Sequence, residues 1–453
     1  MSAYADEFLH ALQTNNPHEP EFLQAVREVV ASLDPVLDQH PEYRDAAVLE
    51  RLAEPDRVII FRVPWADDDD RIRVNRGYRV QFNSALGPYK GGMRFHPTVN
   101  LSVLKFLGYE QIFKNALTNQ AIGGGKGGAD FDPKGRSDAE VMRFCQSLIT
   151  ELAWHIGPDR DIPAGDIGVG AREIGYMFGM YKRLRNRWSG VFTGKALHSG
   201  GSLLRPEATG YGCVYFACEM LAAQNKSIEG KRCIVSGSGN VAQFAAEKLI
   251  QLGAKPVTLS DSGGSIHDPD GVDADKLEFV KDLKNNRRGR IFEYAEKYPS
   301  ADYTEHGPDS DGNPVWRADA DCAFPCATQN ELTEPDARAM IDNSVALVSE
   351  GANMPCTHDA VELFNDNGVL YGPGKAANAG GVAVSALEMA QNSQRMRWSR
   401  EDVDARLRDI MHRIHDDCAA AADTYGYAGN YAHGANIAAF TKVADAVLAQ
   451  GLV

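Results

Sequence analysis

The stretch KRCIVSGSGNVAQFAAEKLIQLGA, residues 231 to 254, decides the fold of half of this chain. A short apolar run, Cys233 to Val235, precedes two glycines, and a long helical pattern follows, with Gly253 as a plausible stop. Gly237-Ser238-Gly239-Asn240-Val241-Ala242 fits the pattern G-x-G-x-x-G/A. Gly237 allows a tight turn, Gly239 lets backbone approach a pyrophosphate, and Ala242 lets helix and strand pack closely. The diphosphate would rest on the N-terminus of the helix. Glycines close many strand-to-helix turns, so the pattern is weak by itself. It gains weight from Asp261, 24 residues after Gly237 at the end of the next expected strand, KPVTLSDS (255 to 262). An acid there faces an adenosine ribose.

Working outward, KLEFVKDLKNNRRGRIFEYAEKY (276 to 298) reads as a helix, and ADCAFPC (320 to 326), VALVSEG (345 to 351) and VLYGPG (369 to 374) as short strands. Strands alternating with helices predict a parallel sheet covered on both faces, a Rossmann-like dinucleotide-binding domain. Asp261 favours NAD and repels the 2′-phosphate of NADP. Lys284, Arg287, Arg288 and Arg290 follow on the helical stretch. They either fold back onto a 2′-phosphate or form a solvated basic helix end; spacing alone favours the second.

The first half has a different rhythm. Residues 5 to 52 are helical, with Phe22, Val26, Val29 and Leu33 at three-to-four spacing. RVIIFRVPW (57 to 65) and IRVNRGYRVQFN (72 to 83) predict a hairpin across the polar turn ADDDD, and helical patterns return at 101 to 119, 137 to 155 and 171 to 188. A junction of small and turn-forming residues puts a domain boundary near residue 200. A chain of 453 residues suits two domains. The net charge of −15 argues against a general nucleic-acid or anionic-membrane surface. No apolar run reaches the roughly 18 residues of a membrane span. The start lacks a signal-peptide pattern. The eight cysteines show no CxxC pair or metal spacing, so no metal is expected, and they read as reduced thiols of a cytoplasmic protein.

AIGGGKGGAD (121 to 130) sets Lys126 among five glycines. It is no phosphate loop, because Gln120 and Gly127 stand where a Walker motif needs Gly and Ser or Thr. The functional reading is a lysine crowded by backbone and substrate, its pKa lowered by desolvation and neighbouring cations. From Arg71 to Tyr109 there is no acid, against seven Lys or Arg residues. With Tyr78, Phe82, Tyr89 and Phe95 interleaved, this stretch admits an RNA groove. Lys90, Lys114 and Lys126 fit a small dicarboxylate better. Gln111 and Lys114 share a helical face. Asp166, on the turn Pro163-Ala164-Gly165, is either a helix cap or the proton-relay partner of a low-pKa lysine.

GPYKGGMRFHP, GYEQIFKNALT, GGGKGGADFDPKGRSDAEVMRFCQS, DIPAGDIGVGAREIGYM, RPEATGYG, SGSGNVA, PCATQNEL, EGANMP and PGKAANAGGVAVSALEMAQN together resemble the small, hexameric class of glutamate dehydrogenases, and most of all its NADP-dependent members. The resemblance covers nearly the whole chain. It implies Lys126 and Asp166 as catalytic residues. It implies Lys90 and Ser385 on the substrate side-chain carboxylate, and Gln111, Lys114 and the backbone of Gly165 on the α-carboxylate. Thr209, Ser238, Asn240, Val241 and Asn353 would contact the dinucleotide, with Lys284 near a 2′-phosphate. The substrates would be glutamate, 2-oxoglutarate and ammonium, and the assembly a homohexamer. NADP is the expected cofactor, with NAD or dual use as the alternative. The likeness also implies a mixed α/β substrate and assembly domain over 1–200, a dinucleotide domain over 201–425, and a C-terminal helix, 426–453, returning to the first. Two rivals stand beside it: a leucine or phenylalanine dehydrogenase, and a non-catalytic dinucleotide- or RNA-binding protein.

Overall fold

The structure, a computed structural model, describes residues 2–306 and 313–452. The chain divides into two compact units. The first runs to Arg205 and adds Val384–Val403 and the segment from Asn436 onward; the second comprises Pro206–Ala383 and Asp404–Ala435. The boundaries thus fall at 205/206, 383/384, 403/404 and 435/436, where sequence reading drew them at 200/201 and 425/426.

The first unit is built on a mixed sheet of β1 (Arg57–Ala66), β2 (Ile72–Asn83), β3 (Tyr89–Phe95), β4 (Gly123–Ala129) and β5 (Asp161–Gly165), in the order β1-β2-β4-β3-β5. The expected hairpin is present as β1 and β2, paired Arg57↔Gln81 through Ala66↔Ile72. β3 runs parallel to both β4 and β5. The glycine run around Lys126 is itself the strand β4, buried along its length. Period and propensity gave no sign of this, since glycine disfavours strands. Packing explains it. A Cβ on Gly127 would stand 2.6 Å from Met93 Sδ, and one on Gly124 would stand 2.9 Å from the Ile112 Cα.

The helices begin where their caps predict. Asn100 Oδ1 accepts from the Val103 N–H at 3.0 Å at the head of Leu101–Leu117. Ser137 and Glu140 form a capping box for Asp138–Leu152. Phe95, Phe131 and Phe144 form an aromatic core, with Phe131 stacked on Phe144 at 3.8 Å. Five short helices between Ala3 and Ala53 bury Phe22, Val26, Val29 and Leu33 as their spacing predicts. Tyr43 in the fourth donates to Asp445 in the C-terminal helix Tyr431–Gln450 at 2.6 Å.

The second unit holds a parallel sheet of β6 (Arg232–Val235), β7 (Lys255–Pro256), β11 (Cys322–Phe324), β12 (Leu347–Ser349) and β13 (Leu370–Gly372), ordered β13-β12-β11-β6-β7. After β6 the chain first builds outward to β7, then returns to the other side of β6. The order therefore reverses between β6 and β11, the crevice where such sheets take their ligands. A second, antiparallel sheet of β8 (Thr258–Asp261), β9 (Gly264–His267) and β10 (Asp302–Glu305) adjoins it, with Thr258 Oγ1 of β8 accepting the Val235 N–H of β6 at 3.0 Å.

Two expectations change here. KPVTLSDS is not one strand: β7 belongs to the parallel sheet and β8, ending at Asp261, to the antiparallel one. Residues 276 to 298 are not one helix. Ala274–Lys281 passes into a π-turn, Asp282–Asn286, and Phe292–Lys297 is separate. The break follows from Arg288 at φ 54° and from Asp261, whose carboxylate accepts the Ile291 N–H at 2.9 Å.

Candidate active site

In the first unit, β3, β4 and the loop after β5 bring their charged side chains together. Lys126 projects from the middle of β4, and its Nζ lies 3.3 Å from Asp166 Oδ2. Arg94 of β3 donates its Nε to that same oxygen at 2.7 Å. Asp166 is therefore no helix cap; Gly170 occupies that place before Ala171–Arg185. Burial opposes its charge, but Lys126 and Arg94 hold its pKa below the usual carboxylate range. Burial lowers the pKa of Lys126; Asp166 opposes the shift and Arg94 adds to it. The surrounding glycines are needed for this approach. A Cβ on Gly92 would meet Asp166 Cβ at 2.8 Å, and one on Gly165 would meet the Val169 carbonyl.

Beside this pair, Gln111 and Lys114 lie on the helix Leu101–Leu117. Gln111 Nε2 donates to Asn115 Oδ1 at 2.7 Å, and Asn115 Nδ2 donates to the Lys90 carbonyl at 3.1 Å, tying the helix to β3. Burial, then Lys126, pushes the Lys114 pKa down to about 8. Lys90 is buried, and burial, Arg205 and Arg79 push its pKa well down. Arg205 donates its Nε to Ser385 Oγ at 2.9 Å. One turn after Ser385, buried Glu388 accepts from Lys195 Nζ at 2.8 Å and from the Gly194 N–H at 2.9 Å. Among the described residues, neither Lys90 nor Arg205 makes an ion pair with a carboxylate. A buried cation such as Lys90, with the partly buried Arg205 beside it, calls for an anion.

The interleaved aromatics Tyr78, Phe82, Tyr89 and Phe95 are all buried, so they are core and not a stacking platform for bases. Arg73 pairs with Asp67 at 2.8 Å, while buried Arg79 forms a two-pronged pair with Asp161 beneath the sheet.

In the second unit, Gly237 has φ +81°, and its N–H donates to Ser260 Oγ at 2.7 Å. Gly239 caps the helix Asn240–Gln251 without a side chain, and no atom lies within 4 Å of where its Cβ would be. That open space over an uncapped helix N-terminus suits a diphosphate. Ser238, Asn240 and Val241 complete the turn. Thr209 is brought beside it, since its neighbour Gly210 packs against the Val241 carbonyl. Asn353 accepts from Asn378 Nδ2 at 3.0 Å. Asp261 is surrounded: Lys284 Nζ lies 3.0 Å away, Arg290 Nη2 2.9 Å, and the Gly263 N–H donates at 2.9 Å. The basic residues are thus not simply a solvated helix end. Lys284 and Arg290 neutralise the acid, while Arg287 pairs with Asp282 at 3.2 Å.

Profiles of the Glu/Leu/Phe/Val dehydrogenases match this chain over both units: the dimerisation domain at residues 55–183 and the dehydrogenase domain at 200–451. The chain belongs to the glutamate/leucine/phenylalanine/valine dehydrogenase family. Among its relatives is a protein of Giardia intestinalis named NADP-specific glutamate dehydrogenase, 57% identical over 99% of each chain. One of Xylanibacter ruminicola, named NAD(P)-specific glutamate dehydrogenase, is 56% identical over 99% of each. The crystal structure of Plasmodium falciparum glutamate dehydrogenase superposes with a TM-score of 0.96 at 49% identity, covering 99% of this chain and 95% of that one.

For a member of this dehydrogenase family, sequence reading found both clusters but missed Arg94, Arg205, Lys195 and Glu388. Arg94 had a signal, lying in the acid-free stretch four residues after Lys90. Arg205 opens the quoted RPEATGYG. Glu388 lies in the quoted PGKAANAGGVAVSALEMAQN, but its pairing with Lys195 left no trace, because it joins segments 193 residues apart.

Proposed function

We propose that this chain is a glutamate dehydrogenase that reversibly deaminates L-glutamate to 2-oxoglutarate and ammonium with NADP, working in ammonia assimilation. The observation that carries the proposal is the Lys126–Asp166–Arg94 triangle beside the buried Lys90 and the partly buried Arg205. Lys90, with Ser385 and Arg205, holds the side-chain carboxylate of the substrate. Lys114, Gln111 and the Gly165 backbone hold the α-carboxylate. A substrate with an apolar side chain would leave buried Lys90 and partly buried Arg205 without an anion, which disfavours leucine or phenylalanine.

Bound NADP⁺ supplies the acceptor for the hydride leaving the substrate Cα. Lys126, its pKa lowered first by burial and further by Arg94, serves as the base that takes a proton from the water attacking the resulting imine. Asp166, kept ionised by Arg94 and Lys126, moves protons to and from the substrate nitrogen. Gly237, Ser238, Gly239, Asn240 and Val241 hold the diphosphate, with Thr209 and Asn353 beside them. Lys284 and Arg290 offset Asp261 and favour the 2′-phosphate, while the retained acid keeps limited use of NAD open.

The assembly is a homohexamer in the cytoplasm. A Thermus thermophilus relative, 28% identical with a TM-score of 0.78, is described as a hetero-hexameric glutamate dehydrogenase. The edge strand β1, with Val58 and Ile60 exposed, lies within the matched dimerisation domain and offers an apolar face to a second copy.

Steady-state reductive amination of 2-oxoglutarate with ammonium tests the reading. NADPH should be strongly preferred to NADH, and leucine and phenylalanine should turn over poorly in the reverse direction. Absence of turnover with either cofactor would reject it.

A further inference from the structure

Glu331 follows the segment Pro325-Cys326-Ala327-Thr328, which leaves the C-terminal end of β11. Three donors converge on one of its carboxylate oxygens, Oε1: Ser236 Oγ at 2.9 Å, the Ala327 N–H at 2.9 Å and the Thr328 N–H at 3.3 Å. Ser236 follows β6 and immediately precedes Gly237, and its Oγ also accepts the Cys326 N–H at 2.8 Å. Ala327 in turn abuts the glycine turn: a Cβ on Gly237 would stand 3.2 Å from the Ala327 Cα. One carboxylate therefore ties together the two loops that border the crevice between β6 and β11, where the strand order reverses.

We propose that Glu331 is a positioning residue for the dinucleotide, fixing the Gly237–Gly239 turn through Ser236 and Ala327 and linking cofactor binding to uptake of one proton on its own carboxyl. This rests on the reading of the crevice as the NADP site. All three bonds use Oε1, so protonation at Oε2 leaves the tie intact. The ionisable groups facing Glu331 are Glu350, which follows β12, and the thiols Cys326 and Cys356. Burial raises the Glu331 pKa to about 7 against the pull of its donors, and Glu350 raises it further. A diphosphate on the adjoining turn adds negative charge, which favours the protonated acid. The sign follows: below the free-state pKa the group is already protonated and contributes no pH dependence. Above it, binding must carry a proton in, and affinity falls as pH rises.

The test is calorimetric titration of the full-length protein with NADPH from pH 7 to 9, in two buffers of different ionisation enthalpy. The wild type should take up a fraction of a proton, and its Kd should rise about 3- to 10-fold across the window, below the tenfold-per-unit limit of a single group. Glu331→Gln keeps the Oε1 acceptor without the charge. It should bind NADPH with a flat pH profile, no uptake from this group, and the tight affinity of the low-pH wild type. Glu331→Asp keeps the charge but draws the oxygen away from its donors; it should bind more weakly and retain pH dependence. Wild-type pH dependence and proton uptake in folded Glu331→Gln would overturn the role of Glu331 while leaving the NADP site standing. No NADPH binding by the wild type at any pH would overturn both.

Discussion

Burial is the largest cause lowering the Lys126 pKa; Arg94 adds to it while Asp166 opposes the shift. The guanidinium shares the Asp166 oxygen and adds a second positive charge beside Lys126. Replacing Lys126 with Met should lower kcat by about 10²- to 10⁴-fold, the usual range for a general base, while the melting temperature stays near wild type. Arg94→Met removes a cation that favours neutral Lys126. Its rising limb in the pH–rate profile of glutamate oxidation should therefore move to higher pH, because the Lys126 pKa rises. An unmoved limb would show that Arg94 serves only to pack Asp166. At the other site, Lys284→Ala should raise KM for NADPH by about tenfold or more, the worth of one charge-assisted bond, and change KM for NADH much less. Equal changes would separate Lys284 from the 2′-phosphate.

At the level of elements, the glycines of β4 and of the β6 turn do opposite work. In β4 they let neighbouring strands and the helix Leu101–Leu117 close around Lys126. Gly127→Ala would push a methyl to 2.6 Å from Met93 Sδ and 2.8 Å from the Tyr78 carbonyl. Overpacking of this kind costs about 1–3 kcal/mol, so thermal unfolding should show a clear fall in Tm. At Gly239 the space for a Cβ is open and the backbone is extended, so Gly239→Ala should unfold like wild type. Its NADPH affinity should nonetheless fall, since the methyl occupies the approach to the helix N-terminus. A Tm loss without an affinity loss would reverse the roles given to these two glycines.

For the whole molecule, the exposed edge of β1 is the feature most in need of a partner. Ile60 is 51% exposed on an edge strand, an arrangement that proteins avoid leaving open. Ile60→Lys should shift the particle measured by sedimentation velocity to smaller species, with little effect on the fold of the single chain. An unchanged particle size would place the assembly surface elsewhere. Each copy carries a net charge of −15, with part of its basic residues spent on internal pairs such as Arg79–Asp161 and Lys195–Glu388.

What the sequence determined by itself was whatever depends on neighbours along the chain. The β6–turn–helix unit, the β1–β2 hairpin and the Ser137 capping box all follow from residues within a few positions of one another. The glycine setting, the acid-free stretch, the helical face shared with Gln111 and the Pro163-Ala164-Gly165 turn singled out Lys126, Lys90, Lys114 and Asp166, and the resemblance gave them roles. The tertiary structure decided the rest. It made a strand of the glycine run, because β4 is paired with β2 on one side and β3 on the other, where a side chain in place of Gly124 or Gly127 would collide with Ile112, Met93 or Tyr78. It split residues 255 to 262 between two sheets and broke the helix expected over 276 to 298, because Asp261 holds Lys284, Arg290 and the Ile291 N–H. It also placed Arg94 on Asp166 and Glu388 on Lys195. Such long-range electrostatic pairs leave no periodic trace, since periodicity records which face of an element is buried and not which distant charge it meets there.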